Sequence, residues 1–247
     1  MITQIYEIQD PYQAEKCVDA GVNHVGSVLL GGGRWRQEGV RDAGKLLDRT
    51  ESLHSIIPLF SGEDVYRALD YYMPDFVHFC DDLTDGEGRR LPAGPIVEFQ
   101  ITVKERFPEV RIIRTIPVQA EGCPEIRSTE MAREFETVSD LLLIDTWTGD
   151  APVNGFIGIT GRRADPGESR SVVRAVSIPV ILAGGLGVDN VYETAIEVMP
   201  AGVDSCTRTN ITGEDGKPVR FKKDFNKVKA FVAEARRAGH DLKSVIK

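Results

Sequence analysis

The clearest chemical signal in this sequence is a pair of glycines that follows a short apolar run. Residues 179–183 read PVILA, and Gly184 and Gly185 come directly after them. Two glycines let the backbone approach a ligand without a Cβ in the way, and the start of a following helix attracts anions through its free N–H groups. We predict a phosphate-binding turn at these glycines. A tight turn that needs glycine only for its backbone is the alternative.

Hydroxyl and cationic side chains end a later segment, residues 202–208, which reads GVDSCTR. Ser205 and Thr207 supply hydroxyl groups, Cys206 lies between them, and Arg208 can form two parallel hydrogen bonds to a phosphate. We expect these four residues to join the anion site. An ordinary polar rim is the alternative.

A carboxylate ends the apolar run LLLI at residues 141–144. Asp145 at the end of a buried strand would be partly desolvated, which raises the pKa of its carboxyl group toward the range of a general acid. We therefore take Asp145 as a catalytic candidate. A helix cap or an arginine partner is the alternative role.

A histidine and a cysteine alternate with apolar residues at positions 77–80. His78 and Cys80 share one face of the strand pattern, opposite Val77 and Phe79. We expect His78 and Cys80 to point inward, His78 toward the substrate and Cys80 nearer the mouth as a base or nucleophile. Plain packing of both side chains is the alternative.

The charge pattern favours a small anionic ligand. The chain carries 30 basic and 38 acidic residues, yet arginines cluster in predicted loops, at Arg34, Arg36, Arg162, Arg163 and Arg208. Such clustering focuses an anionic substrate, although solvated loop charge is the default for any one arginine. The net charge of −8 argues against nucleic-acid binding. The four cysteines form no CxxC pair, so we expect no metal and no cofactor.

Eight short apolar runs alternate with amphipathic stretches along the whole chain. This alternation predicts parallel βαβ units, and eight of them in about 240 residues fit an α/β fold of the (β/α)8 TIM barrel type, with residues 1–247 as a single domain. The predicted strands are 2–8, 24–30, 55–60, 75–80, 111–116, 141–145, 179–183 and 202–205. The predicted helices are 10–20, 39–47, 63–72, 96–107, 128–138, 169–175, 188–198 and 225–238. In such a barrel the loops that follow the strands share one face, so the residues named above would meet there.

The sequence also suggests where the protein works. It shows neither a leader segment nor an apolar run near the roughly 20 residues of a membrane span, so we expect a cytoplasmic protein. The sequence leaves a monomer or a homodimer open.

These segments together resemble the phosphoribosylanthranilate isomerase family over most of the chain. The similar segments are GRW at 33–35, DLLLIDT at 140–146, GITGRRAD at 158–165, PVILAGGLGVDNV at 179–191 and GVD at 202–204. The resemblance implies an Amadori rearrangement of a phosphorylated amino sugar in tryptophan biosynthesis or a related pathway. It makes Asp145 the acid that protonates the ring oxygen and Arg34 a substrate ligand. It places Gly161, Gly184 and Gly185 at the phosphate.

The sequence departs from the family pattern at three places. Tyr6-Glu7-Ile8-Gln9 stands where the family has Cys-Gly-Ile-Thr, so Tyr6, with an ordinary pKa of about 10, occupies the position of the catalytic base. Cys206-Thr207-Arg208 replaces Ser-Ser-Gly, and Cys80-Asp81 replaces His-Gly. Cys80 is therefore our candidate for a relocated base.

Three functions remain open at this point. The first is an isomerase with a rearranged base, and the second is a barrel enzyme that runs other chemistry through Asp145 on a phosphorylated metabolite. The third is a non-catalytic barrel that binds such a metabolite, because fold and function are separable.

Overall fold

The barrel closes around eight parallel strands. The computed structural model describes residues 1–31, 33–149 and 153–245. Within them the eight strands pair in chain order, and the last pairs back to the first. The strands are β1 Ile2–Ile5, β2 His24–Leu30, β3 Leu53–Leu59, β4 Phe76–Phe79, β5 Arg111–Gln119, β6 Leu141–Trp147, β7 Val180–Leu182 and β8 Gly202–Ser205. The predicted (β/α)8 architecture is confirmed.

A helix follows each strand of the barrel. The helices are α1 Pro11–Ala20, α2 Glu38–Leu47, α3 Glu63–Tyr72, α4 Gly94–Arg106, α5 Ser128–Phe135, α6 Pro166–Ala175, α7 Val191–Val198 and α8 Phe225–Val245. Helix α6 starts three residues earlier than predicted, because Asp165 caps it by accepting from the Glu168 N–H at 2.8 Å. Helix α7 starts three residues later, because Asn190 Oδ1 accepts from the Gly187 N–H at 2.8 Å and holds a turn before the helix.

Two further strands form a hairpin between β8 and α8 that the sequence did not predict as strands. These are β9 Asn210–Thr212 and β10 Pro218–Lys223, which pair antiparallel. Asp215 and Gly216 lie in the turn between them, where the Gly213 N–H donates to Lys217 O at 2.8 Å and Gly216 has φ 76°. Strand β1 ends at Ile5 rather than at the predicted residue 8, because Glu7 adopts φ 67° and leaves the extended conformation.

The interior of the barrel has an apolar floor and a polar upper half. Phe76, Ile113, Leu141 and Ile181 pack together in the floor. The outward faces of the strands are apolar as well: Val77 and Phe79 pack in one cluster with residues of α3 and α4, as the alternation in this strand predicted. Among the described residues, no helix is both long and apolar enough to span a bilayer.

Close packing in the upper half requires a glycine on β2. The ring of Tyr6 lies over Gly26, where an added Cβ would be 2.1 Å from Tyr6 Cδ1. The Tyr6 ring is buried, with 3% of its surface exposed, so it has little space to move into.

We expect Gly26→Ala to destabilise the protein by roughly 1–3 kcal/mol, the usual penalty for overpacking a core. The measurement is the free energy of unfolding in urea. The matched control is Gly94→Ala at the start of α4, where an added Cβ meets nothing within 4 Å. Equal stability of Gly26→Ala and the wild type would show that Tyr6 does not pack as described.

Candidate active site

A cavity opens at the carboxyl ends of the barrel strands. Strand residues form its base, and residues of the segment 156–161 after β6 form one wall. The strand and rim residues that could do chemistry are Tyr6, His78, Cys80, Thr115, Asp145, Asp204, Ser205, Cys206, Thr207 and Arg220. The cavity is the place where the barrel brings the residues of several distant segments together.

A chain of hydrogen bonds crosses the base of the cavity. The Tyr6 hydroxyl lies 2.7 Å from Ser55 Oγ and 2.8 Å from His78 Nδ1, and His78 Nε2 lies 2.6 Å from Thr115 Oγ1. Burial lowers the pKa of His78 to about 3, and burial raises the pKa of Tyr6 well above its usual value. Both side chains are therefore neutral, and their polar atoms form hydrogen bonds within this chain.

Two carboxyl groups face the cavity from β6 and β8. Burial raises the pKa of Asp145 from 3.8 to about 6, although the Thr146 N–H donates to its Oδ1 at 2.7 Å. Burial raises the pKa of Asp204 from 3.8 to about 7, and the neighbouring charge of Asp145 adds to the shift. Gln4 holds Asp204 Oδ1 at 3.1 Å. Each of the two carboxyl groups can therefore gain or lose a proton near neutral pH.

Asp145 is also covered from above by the loop after β6. An added Cβ on Gly158, which has φ 100°, would lie 2.1 Å from Asp145 Oδ2. Only a glycine backbone can approach the carboxyl group so closely. This contact keeps water away from Asp145 and accounts for part of its desolvation.

Cys80 lies in the cavity wall with its side chain pointing inward, as the alternation in β4 predicted. Burial raises the pKa of its thiol, and the charge of Asp81 beside it raises the pKa further. The thiol form is favoured, and a thiol is a weak base.

The predicted glycine turn lines the same cavity. Gly184 and Gly185 have φ 85° and 60°, and the Gly161 carbonyl oxygen would lie 2.7 Å from a Cβ on Gly185. The loop after β6 thus packs directly on the loop after β7. Ser205 joins β8 to this turn, because its hydroxyl donates to Leu186 O at 2.7 Å. Glycine is needed here both for the backbone angles and for the contact between the loops.

The predicted arginines lie outside the cavity lining. Arg34 is exposed, and the guanidinium of Arg36 lies 4.8 Å above the Trp35 ring. Arg162 is exposed and donates to Glu121 O at 3.4 Å. Arg208 is paired with Asp189 at 2.7 Å.

The arginine that does line the cavity is Arg220, which comes from the hairpin. Sequence reasoning missed Arg220 because no motif marks a hairpin side chain as part of a barrel mouth. Asp204 and Thr115 were also missed. The alternation of side chains within each strand could have predicted that both point into the barrel.

The described part of the chain contains no group of three or more His, Cys, Asp or Glu side chains arranged to hold a metal ion.

The comparisons with known proteins agree with this fold. No protein-family model matches the chain. The N-(5'-phosphoribosyl)anthranilate isomerase of Methanocella arvoryzae is 35% identical over 139 residues, which are 56% of this chain and 57% of that protein. The isomerase of Methanothrix thermoacetophila is 28% identical over 244 residues, 94% of this chain and 97% of that protein. The chain spans about half the length of the first curated relatives that it matches.

A solved structure has the same fold. It is a phosphoribosylanthranilate isomerase in complex with reduced 1-(o-carboxyphenylamino)-1-deoxyribulose 5-phosphate, with a TM-score of 0.65 and 19% identity, covering 96% of this chain and 100% of that chain. Fold and cavity define a (β/α)8-barrel protein with a two-carboxyl cavity at the strand ends. In sequence the chain is similar to phosphoribosylanthranilate isomerases, and it shares their fold.

The buried carboxyl of Asp204 gives a stability prediction whose sign follows from its pKa. A pKa raised on folding means that the folded state binds the proton more tightly, so the stability present at low pH is lost as the pH rises through about 7. Asparagine cannot ionise. Between pH 5 and pH 8 we expect the free energy of unfolding of Asp204→Asn to rise by roughly 3 kcal/mol relative to that of wild type. Wild type loses stability over about two of these pH units, up to a pH of about 7, at about 1.4 kcal/mol for each unit.

The measurement is the difference in melting temperature between Asp204→Asn and wild type at the two pH values, where each kcal/mol is worth roughly 2–4 °C in a chain of this size. The control is Asp42→Asn, because Asp42 is an exposed carboxylate paired with Lys45. A difference in melting temperature that stays the same at both pH values would contradict the desolvation of Asp204.

Proposed function

We propose that this protein is an aldose–ketose isomerase that carries out the Amadori rearrangement of N-(5'-phosphoribosyl)anthranilate. The observation that carries the proposal is the pair of carboxyl groups, Asp145 and Asp204, which face one cavity beside the glycine turn at Gly184 and Gly185. The names of the relatives, and the phosphorylated ligand bound to the solved structure, support a phosphoribosyl substrate.

Asp145 is the general acid in this proposal. Its carboxyl group retains a proton up to a pH of about 6, and it faces the cavity from the last half of β6. In the resemblance that the sequence carries, the corresponding aspartate protonates the ring oxygen of the sugar. A carboxyl group with a raised pKa suits this role.

Asp204 is the general base in this proposal. Tyr6, at the position of the family's cysteine, has its hydroxyl bound to Ser55 and His78 and a pKa well above its usual value. Burial also keeps Cys80 in the thiol form. Asp204 lies on β8, which pairs directly with β1, and its pKa of about 7 lets it accept a proton at neutral pH.

The reaction then runs with a balanced set of proton transfers. Asp145 gives its proton to the ring oxygen, the bond between C1 and that oxygen breaks, and the nitrogen lone pair forms a C1–N double bond. Asp204 removes the proton from C2, and the electrons of the C–H bond form a C1–C2 double bond while nitrogen becomes neutral. The enolamine gains a proton at C1 from Asp204 and loses its C2 hydroxyl proton to Asp145, which restores both groups.

Turnover of phosphoribosylanthranilate tests the proposal. The protein is purified from a host that lacks its own isomerase, and the loss of substrate fluorescence is followed. We expect turnover by the wild type and a loss of roughly 10²–10⁴-fold in Asp145→Asn, the usual contribution of one general acid. Absence of turnover by well-folded wild-type protein would reject the isomerase.

The choice of base is tested separately by three variants. We expect Asp204→Asn to lose activity by roughly 10²–10⁴-fold, while Cys80→Ser and Tyr6→Phe keep most of it. The wild type should show a bell-shaped pH dependence of kcat/KM with its maximum between about pH 6 and 7, where the pair holds one proton. The active form carries that proton on Asp145 and has Asp204 ionised, and the higher pKa of Asp204 makes this the less populated of the two singly protonated forms. If Cys80→Ser is inactive and Asp204→Asn is active, the general base is the Cys80 thiol and not Asp204.

One observation favours a second function, the non-catalytic binding of a phosphorylated metabolite. The position of the family's base is taken by Tyr6, whose hydroxyl is already bound within the protein. A binding protein would be stabilised by ribose 5-phosphate and would show no turnover with phosphoribosylanthranilate. The isomerase would show both.

A further inference from the structure

Glu7 is a buried carboxylate in an unusual backbone conformation. It adopts φ 67°, in the left-handed region that favours glycine, and its side chain is fully buried. The family's strand-one motif has glycine at this position. A glutamate here costs backbone strain, so contacts elsewhere must hold it in place.

Those contacts all come from the hairpin β9–β10. Glu7 Oε2 accepts from Asn210 Nδ2 at 2.7 Å and from the Phe221 N–H at 3.1 Å, and Glu7 Oε1 accepts from Arg220 Nε. Burial opposes the ionisation of Glu7, but the hydrogen bond from Asn210 and the charge of Lys223 outweigh it and lower its pKa. Glu7 is therefore ionised and forms a true ion pair with Arg220.

The same ion pair holds an arginine that lines the cavity. Arg220 lines the cavity together with Gly184, Gly185, Ser205 and Thr207, although its chain position lies far from all of them. Arginine has five N–H donors in a planar fork, and the bond to Glu7 uses the one on Nε. The guanidinium can therefore hold Glu7 on one side and an anion on the other.

A buried lysine fixes the hairpin to the turn after β8. Lys223 Nζ donates to Cys206 O and to Asn210 Oδ1, both at 2.6 Å. Cys206 lies between Ser205 and Thr207 in the turn after β8, and Asn210 starts β9. The hairpin and the turn thus form one unit, which keeps Arg220 at a set position relative to the turn.

We propose that Arg220 binds the phosphate group of the ligand and that Glu7 is the residue that positions it. The proposal names the cation of the phosphate subsite and so rests on the phosphorylated ligand of the proposed function. Asp145 and Asp204 face the same cavity, so a phosphate dianion needs a compensating positive charge there. Arg208, the cation that the sequence suggested, is paired with Asp189 and is not part of the cavity lining.

The test is isothermal titration of the full chain with ribose 5-phosphate and with inorganic phosphate. We expect Arg220→Gln to raise the dissociation constant for ribose 5-phosphate by roughly 10- to 100-fold, the usual effect of losing a charge-assisted hydrogen-bonding partner. Arg220→Lys should recover part of the affinity, because it restores the charge without the planar fork. The matched control, Arg208→Gln, should leave the dissociation constant within about twofold of the wild type.

The positioning role of Glu7 is tested by a measurement that a purely structural role would leave unchanged. The ¹H–¹⁵N signal of Arg220 Nε, assigned by its loss in Arg220→Gln, should be sharp in the wild type and shift when phosphate is added. In Glu7→Gln we expect this signal to broaden and the rise in melting temperature produced by phosphate to fall by at least half. A general loss of structure would instead lower the melting temperature without ligand and leave the ligand-induced rise unchanged.

The outcomes separate this proposal from the isomerase. Wild-type protein that binds neither phosphate probe, or equal binding by Arg220→Gln, Arg208→Gln and wild type, would overturn the role of Arg220. Phosphate binding that depends on Arg220, in a protein without turnover of phosphoribosylanthranilate, would support the phosphate subsite and reject the isomerase.

Discussion

The proposed chemistry of this protein depends on the desolvation of two carboxyl groups at the mouth of the barrel. Asp145 and Asp204 stand on β6 and β8, and a closed ring of strands keeps both side chains in an enclosed cavity. Burial disfavours the charge of each group, and the charge of Asp145 further disfavours that of Asp204. The pair therefore holds about one proton between pH 6 and 7, as an acid and a base working on one substrate require.

A second set of charges lies outside the eight barrel strands, on the segment after β1 and on the hairpin. Glu7, Arg220 and Lys223 connect β1, the hairpin β9–β10 and the turn after β8. Two of the three places where the sequence departs from the pattern of the isomerases that it resembles, after β1 and after β8, thus meet in one cluster. In our proposals the barrel strands carry the groups that exchange protons, and the hairpin carries the cation that binds phosphate.

Much of the fold was predictable because its signals are local. Alternating apolar runs predicted every strand of the barrel, and the mouth positions of Asp145 and of the turn at Gly184 follow from strand ends alone. The ends of β1 and α7 were wrong, because the backbone angle of Glu7 and the hydrogen bond from Gly187 to Asn190 decide them. The place of Arg220 in the cavity lining could not be predicted from the sequence, since only the folded hairpin brings it there.

The most direct test of this account is a ¹³C NMR titration of protein labelled at the aspartate carboxyl carbons, with Asp145→Asn and Asp204→Asn used to assign the two signals. The account predicts two aspartates that titrate together with midpoints near pH 6 and pH 7, and each single variant should simplify the titration of the other. Two carboxyl groups that are both fully ionised at pH 5 would contradict it, because neither could then carry a proton to or from a substrate at neutral pH.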